Sequence, residues 1–443
     1  YKVTGVQTCA LPILFSFSNY SWNLELGYKF ACLAKERDPN VITIFGGPNF
    51  PTDNNEKIDF LKKRPSIDFY IELEGELGFV DLLKSLAANN FNVEQLKKHG
   101  TKIINTCYIY DNQLVTGLVE RIKDINIIPS PYLNGSLDHF FNLPLIPMIE
   151  TTRGCPFTCT FCADGLGIKS KINRYETQRT KEELQYIAKS INKVDELIVT
   201  DLNFGMYKQD METAKEISKI QKKYNYPISV DAPAGKNMPK RIISIASVMK
   251  GWSMGGVIQS SDPEVLKSIK RSNISISAYQ DLIDFGNTQK TNRTYTEVIL
   301  GLPGDTKEKH FKSLRLGVEK KVNNLRMHQA MLLTGTEMAS KNDREKYGLI
   351  TKFRTLPGGV GNYNILNKNY PVAEVEEIVV GSKTLSMDDY IECRIMNLII
   401  KTFYNNNIFN EIHSLQRTIG ISPFDSLLYI NDHPEIRSPK IKS

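Results

Sequence analysis

The sequence predicts an α/β chain: a partial (β/α)6 barrel, preceded by an incomplete doubly wound parallel sheet and followed by a mainly helical C-terminal cap. Three observations carry that prediction. Apolar runs of strand length alternate with segments that are apolar at helical spacing, the pattern of a parallel sheet covered by helices. Gly and Pro clusters follow the ends of those runs, where open α/β sheets place their ligands. A tight group of three cysteines stands directly behind one of the runs.

In order, residues 14–18 alternate like a strand, and 22–35 carry Trp22, Leu26, Phe30 and Leu33 at helical spacing. Residues 41–45 form a second strand ended by Gly46-Gly47-Pro48. Residues 68–71 form a third, followed by Glu74-Gly75-Glu76 and a helix with Leu77, Val80, Leu83 and Leu86 on one face. Two apolar segments, 103–110 and 114–119, flank Asp111-Asn112-Gln113 as a hairpin, and a Pro-rich connector at 127–135 marks a domain boundary. Six strand-helix units follow, with strands at 145–150, 196–201, 227–231, 255–260, 296–300 and 325–331. Thr180 to Glu183 reads as a capping box, and Ser261-Asp262-Pro263-Glu264 as a helix start. The glycine-rich stretch 356–362 lacks the Lys-Ser/Thr of a phosphate loop and reads as a turn or lid, and 386–401 as a helix. The expected domains are 14–128, 140–345 and 346–443.

Residues 1–13 resemble the conceptual translation of a sequencing adapter, which would make Cys9 an artefact, and the missing initiator Met leads us to expect a natural start upstream; the competing reading, a signal-peptide core through Cys9 to Phe17, has only Lys2 for an n-region and no small-residue cleavage site. The ending, 438–443, reads as a second truncation or a tail. Elsewhere, 41% hydrophobic and 24% charged residues are ordinary for a globular protein. The net charge of +7 is dispersed among acids, which favours a mildly basic enzyme surface over a nucleic-acid partner. No apolar run reaches membrane-spanning length. Seven cysteines with one tight triad point to a reducing, cytoplasmic setting.

That triad is Cys155-x3-Cys159-x2-Cys162. Structural zinc sites are closed by four ligands and iron-sulfur clusters are usually held by four thiolates, so three leave a metal position open. Cys9, Cys32, Cys107 and Cys393 are isolated, and no His occurs in the twenty residues after Cys162. A zinc knuckle with a distant fourth ligand is the plainer alternative.

With Phe161 before its last Cys and an apolar strand just upstream, the triad resembles the signature of the radical S-adenosylmethionine (SAM) enzymes. The resemblance implies a 4Fe-4S cluster on Cys155, Cys159 and Cys162, whose open iron chelates SAM so that one electron releases a 5'-deoxyadenosyl radical. It extends over about 200 residues. Asp201 and Asn203 stand where the family presents groups near the SAM amino group, although its usual Gly-Gly-Glu is replaced. Gln259 and Ser260 end the fourth strand near the expected ribose or carboxylate, and Gly301 and Pro303 match the adenine-packing motif. Arg271 is a candidate carboxylate partner, with an exposed helix residue the plainer expectation. Upstream, Ser18, Asn19, Gly46, Gly47, Pro48, Gly75 and Glu76 fall at strand ends that resemble the latter half of a Rossmann-like cobalamin-binding domain. The Asp-x-His-x-x-Gly motif of such domains is absent from the sequence.

Together these resemblances imply a cobalamin-dependent radical SAM methyltransferase acting on an unactivated carbon, fed by a reducing electron donor such as flavodoxin or ferredoxin. No general base is needed for hydrogen abstraction, and no catalytic side chain is assigned. The alternatives are radical chemistry without methyl transfer (cyclisation, ring contraction or oxidation) and a non-catalytic iron-sulfur or zinc scaffold. Methylthiotransferase is disfavoured, because the additional Cys set and RNA-binding module of that group are missing.

Overall fold

The computed structural model describes residues 13–253, 255–289, 294–365 and 367–436. The adapter reading of the first residues, with Cys9, and the expected tail at 438–443 lie outside the described residues, Ile13 excepted.

The N-terminal unit is a five-stranded sheet. Leu14–Ser18, Ile42–Gly46 and Phe69–Ile71 run parallel in that order, and Thr106–Tyr110 and Gln113–Thr116 extend it antiparallel as the expected hairpin. Its turn residues, Asp111 and Asn112, both adopt positive φ, which short polar side chains tolerate best. The central strands bury both faces. Ile42, Ile44, Phe69 and Ile71 pack with Leu82 and Leu86 on one side, while Phe45 and Tyr70 pack with Ala31 and Leu61 on the other.

In the barrel, Met148–Ile149, Glu196–Val199 and Ser229–Asp231 form one parallel sheet and Tyr295–Leu300 with Asn324–Gln329 another. The expected fourth strand is not a continuous ladder. Parallel bridges from Val230 to Trp252, Gly255 to Tyr295 and Gln259 to Val298 carry the chain between the two sheets. Its glycines explain the interruption. A Cβ on Gly255 would come within 2.4 Å of the Tyr295 ring and one on Gly256 within 2.5 Å of the Tyr279 ring, so the backbone threads between two aromatic walls. The six staves thus follow sequence order in an open barrel, with helices such as Thr177–Ser190, Asp210–Tyr224 and Lys307–Glu319 outside. The box expected at Thr180 lies one turn inside its helix; Glu183 is buried there and accepts from Arg179 Nε at 3.0 Å.

The C-terminal region departs from expectation in one respect. Before its helices, Ile350–Ile365 and Lys368–Gly381 form a long antiparallel hairpin, and the stretch expected as a turn or lid is part of its first strand. A register shift between Thr355 and Val360 takes up the Leu356–Gly359 segment as a bulge, so Gly and Pro there mark a kink within a strand. The hairpin closes the open edge of the barrel: Val379 N donates to Ala330 O at 2.8 Å and Leu332 N to Glu377 O at 2.9 Å. Its other end reaches the N-terminal sheet, where buried Glu374 accepts from Glu25 N and Leu26 N at the start of helix Leu24–Arg37. Met387–Phe403 and Pro423–Asp432 then pack on Lys307–Glu319 through Met396, Ile399, Ile400, Phe424, Leu314 and Val318. Among the described residues, no helix is long and apolar enough to cross a membrane.

Candidate active site

The cysteine loop starts from the first barrel strand and is latched to the second. Asp201, fully buried at the end of Glu196–Val199, accepts from Thr151 N at 2.7 Å and Thr152 N at 3.1 Å. Both threonine hydroxyls donate to its other oxygen. Burial raises its pKa, while those four donors oppose the rise. The oxygens expected near SAM are therefore engaged with the loop's own root. The group that faces the cysteines is Asn203: its Nδ2 lies 3.4 Å from Cys155 Sγ, and its buried Oδ1 has no protein partner.

From that root the loop closes on itself. Cys155 N donates to Lys169 O at 3.0 Å, Cys162 N to Cys159 O at 3.1 Å, and Lys169 Nζ reaches Ala163 O and Asp164 at 3.0 Å. Thr160 ties the loop to the far side of the barrel by donating to Ile269 O and accepting from Met338 N. Two cations face the sulfurs. Lys236 Nζ is 3.3 Å from Cys159 Sγ, and the guanidinium of Arg271 faces the same thiol. Arg271 is 8% exposed, which corrects the expectation of an exposed helix residue: it follows helix Pro263–Ser268 and turns inward to bond Val257 O. Burial lowers its pKa, and Cys159 works against that; burial pushes the Cys162 thiol up, and Lys236 pulls it down.

The remaining candidates divide by what their polar atoms already do. Gln259, in a left-handed conformation (φ 59°), buries an Oε1 without a partner. Ser260 Oγ accepts from Asp262 N and its carbonyl from Asn273, so it is committed to the fold. Phe161 packs in one apolar cluster with Leu302, the residue between Gly301 and Pro303, which brings the cysteine loop against the fifth-strand motif.

That motif ends in Asp305, whose carboxylate accepts from Thr306 N at 3.0 Å and Gly301 N at 3.4 Å. Burial pushes its pKa from 3.8 to about 7. A raised carboxyl pKa favours the fold while the group is protonated, and the contribution is lost as pH rises from about 4 through about 7. Asp305→Asn, which stays neutral, should therefore gain melting temperature relative to wild type between pH 5 and pH 8, by about 2 °C or more. Thermal unfolding of both proteins across that range checks it, and a difference that does not change with pH refutes it. Buried His310, with its pKa lowered to about 4 by desolvation, is common to both proteins.

A cavity of about 660 Å³ opens between the cysteine loop and the strand ends of the N-terminal sheet. From the sheet it is lined by Gly47, Pro48, Gly75 and Glu76 together with Tyr20 and Trp22, whose rings stack at 4.4 Å; from the barrel it is lined by Thr152, Arg153, Gly154, Ala163, Asp164 and Lys169. Ser18, Asn19 and Gly46 do not line it. Asn19 is fully buried and donates to Asn49 O at 2.7 Å and Tyr70 Oη at 2.9 Å. Ser18 Oγ accepts from Asn23, and Gly46 completes the strand beside Ile71. These three hold the loop that presents Gly47. At that position φ is 133° and a Cβ would lie 2.5 Å from Asn19 O, so a glycine is required.

Trp22, Arg121, Lys236 and the inward turn of Arg271 escape sequence reasoning, whereas Tyr20 belongs to the strand-end stretch 16–20 that the cobalamin resemblance covers. Of those that escape, Lys236 had a usable signal, since Gly235-Lys236 lies just beyond the end of a barrel strand.

The chemistry of the donor set can be tested against a metal group. Among the described residues, no three His, Cys, Asp or Glu side chains converge closely enough to hold a single metal ion. Three thiols in one loop, facing Lys236, Arg271 and Asn203, instead suit a larger anionic cluster with thiolate ligands. The unpartnered amide oxygens of Asn203 and Gln259 suit a cationic ligand beside it.

Comparison with known proteins places the cysteine loop within a family match. Residues 149–316 match the Radical SAM superfamily. The chain is 28% identical over 419 residues to the 2-(S-pantetheinyl)-carbapenam-3-carboxylate methyltransferase of Streptantibioticus cattleyicolor, covering 89% of this chain and 57% of that protein. It is also 28% identical over 404 residues to the cobalamin-dependent radical SAM methyltransferase TokK of Streptomyces tokunonensis, covering 86% and 55%. It thus spans little more than half the length of these relatives. In fold it is similar to the cobalamin-dependent S-adenosylmethionine radical enzyme OxsB solved with aqua-cobalamin and SAM (TM-score 0.58, 15% identity, 96% of this chain and 63% of that one). It is likewise similar to the radical SAM methyltransferase TsrM from Kitasatospora setae (TM-score 0.58, 11% identity, 78% and 68%).

Proposed function

We propose that this chain, a radical SAM protein through residues 149–316, is a cobalamin-dependent methyltransferase acting on an unactivated carbon of a small molecule. The observation that carries this reading is the single cavity whose walls come from both the cysteine loop and the glycine loops of the N-terminal sheet, two cofactor half-sites face to face. The similarity to two curated methyltransferases over most of this chain supports it.

Cys155, Cys159 and Cys162 would hold a 4Fe-4S cluster, and Gly47, Pro48, Gly75 and Glu76 would line the cobalamin side. When bound, these groups supply the reductive cleavage of SAM and the methyl transfer, chemistry that protein side chains lack. The chain's own work is binding and orientation. Lys236 and Arg271 offset the negative charge of the thiolates. Asn203 Oδ1 and Gln259 Oε1, both without a protein partner, would accept from the SAM ammonium, and Phe161 with the Gly301 to Pro303 backbone would wall in its adenine. The hairpin against the last barrel strand keeps water from the barrel edge. A reducing donor such as flavodoxin or ferredoxin and a cytoplasmic setting complete the reading.

Anaerobic incubation of the reconstituted chain with cobalamin, reductant, SAM and candidate small molecules tests it. S-adenosylhomocysteine and 5'-deoxyadenosine are expected in equal amounts, each matching one methylated product. Deoxyadenosine with an unmethylated product would replace methyl transfer by another radical outcome, and stoichiometric zinc without SAM cleavage would leave a scaffold.

A further inference from the structure

On the two-cofactor reading above, we infer that Glu74-Gly75-Glu76 is a positioning clasp, which through Arg121 and Arg153 sets the cysteine loop at a fixed distance from the N-terminal sheet. Arg121 lies five residues beyond Gln113–Thr116, the last strand of the N-terminal sheet. Its Nε donates to Glu74 Oε1 at 2.9 Å, Nη1 to Lys171 O at 2.5 Å and Lys169 O at 3.4 Å, and Nη2 to Arg153 O at 3.4 Å. The other oxygen of Glu74 accepts from Ile122 N at 2.5 Å. One guanidinium therefore grips the sheet's third strand-end loop and both flanks of the cysteine loop, since Arg153 precedes Cys155 and Lys169 and Lys171 follow Cys162.

Two further details tie this grip to the cysteines. Lys169 O, which receives Arg121, also receives Cys155 N at 3.0 Å. Gly154 (φ 111°) leaves the space: a Cβ there would lie 2.4 Å from Lys171 O and 3.1 Å from Arg121 Nη1. A second pair repeats the pattern, with Arg153 Nη2 at 3.0 Å from Glu76 and 2.7 Å from Glu150. Glu74 and Arg121 are 9% and 10% exposed in their side chains, where a planar fork bonded to a carboxylate and carbonyls has little freedom. Lysine at 121 would reach fewer of these partners. Both acids and both arginines line the cavity, so a shift of the clasp changes the separation of its two walls. A misplacement of about 1 Å is enough to slow a transfer between bound groups roughly 100-fold.

The test uses the full chain as wild type, Glu74→Gln and Arg121→Lys. Glu74→Gln keeps an acceptor for Ile122 N while removing the charge. Each protein is reconstituted anaerobically and assayed for iron, for the electron paramagnetic resonance spectrum of the reduced cluster before and after SAM, and for the ratio of S-adenosylhomocysteine to 5'-deoxyadenosine. Iron is expected to stay near wild type, the SAM-bound spectrum to split into more than one population, and the ratio to fall about tenfold or more. A parallel loss of iron and both products makes the clasp purely structural and overturns the inference, as does a wild-type spectrum and ratio in both variants. Deoxyadenosine without S-adenosylhomocysteine in the wild type sinks the methyl-transfer reading alone, and the spectra still decide the clasp.

Discussion

Replacing any one of Cys155, Cys159 and Cys162 by alanine should remove most of the iron from the anaerobically purified chain and reduce SAM cleavage to about one thousandth of wild type or less. The three thiols sit in a loop that closes on itself by backbone bonds, so the loop survives loss of one side chain while the donor set does not. Two of the three other described cysteines serve as controls. Cys107 and Cys393 are buried, and burial pushes both thiols well above the ordinary range, a poor setting for metal binding. Cys107→Ala and Cys393→Ala should weaken packing by about 1 kcal/mol and leave iron per folded chain unchanged. Iron and acid-labile sulfide analysis with chromatography of 5'-deoxyadenosine reads both halves. Iron retained by a triad variant, or lost from a control, would overturn the assignment.

The candidate site was legible where its chemistry is local in sequence. Cys155, Cys159 and Cys162 lie within eight residues, and Asn203, Gln259, Gly47 and Gly75 all fall at strand ends that apolar periodicity locates. What sequence could not separate was a residue that lines the site from one that braces it. Asn19 and Asp201 have the residue types and positions of ligands, yet each is committed to backbone and side-chain partners that only the folded chain brings together. The same limit hid Arg121, which bonds Glu74 from 47 residues away, and the inward turn of Arg271. The C-terminal hairpin was obscured for a different reason. Its first strand carries Pro357 and three glycines, which read as a break but are absorbed as a bulge, because the twin strand and the edge of the barrel supply its hydrogen bonds.

Asp201 allows the bracing role to be measured apart from the metal. Its buried carboxylate collects two backbone N–H groups and two hydroxyls, and both threonines stand immediately before Arg153-Gly154-Cys155. Asp201→Ala would leave the two N–H groups buried without acceptors, at about 1–3 kcal/mol each, so destabilisation of about 2–6 kcal/mol is expected. The hydroxyls can rotate to other acceptors and add less. Asp201→Asn preserves the volume and the one oxygen that both N–H groups share, and its N–H₂ can donate to the two hydroxyls once they rotate away from their present bonds, so it should cost about half as much. Denaturant unfolding of the metal-free chain checks both values. If Asp201 braces the loop rather than binding SAM, iron content should fall in proportion to the folded fraction at the assay temperature, and SAM cleavage per bound cluster should stay within about threefold of wild type in Asp201→Asn. A cluster retained in full with cleavage lost would instead move Asp201 into contact with SAM, with Thr151 and Thr152 its partners only until the cosubstrate arrives.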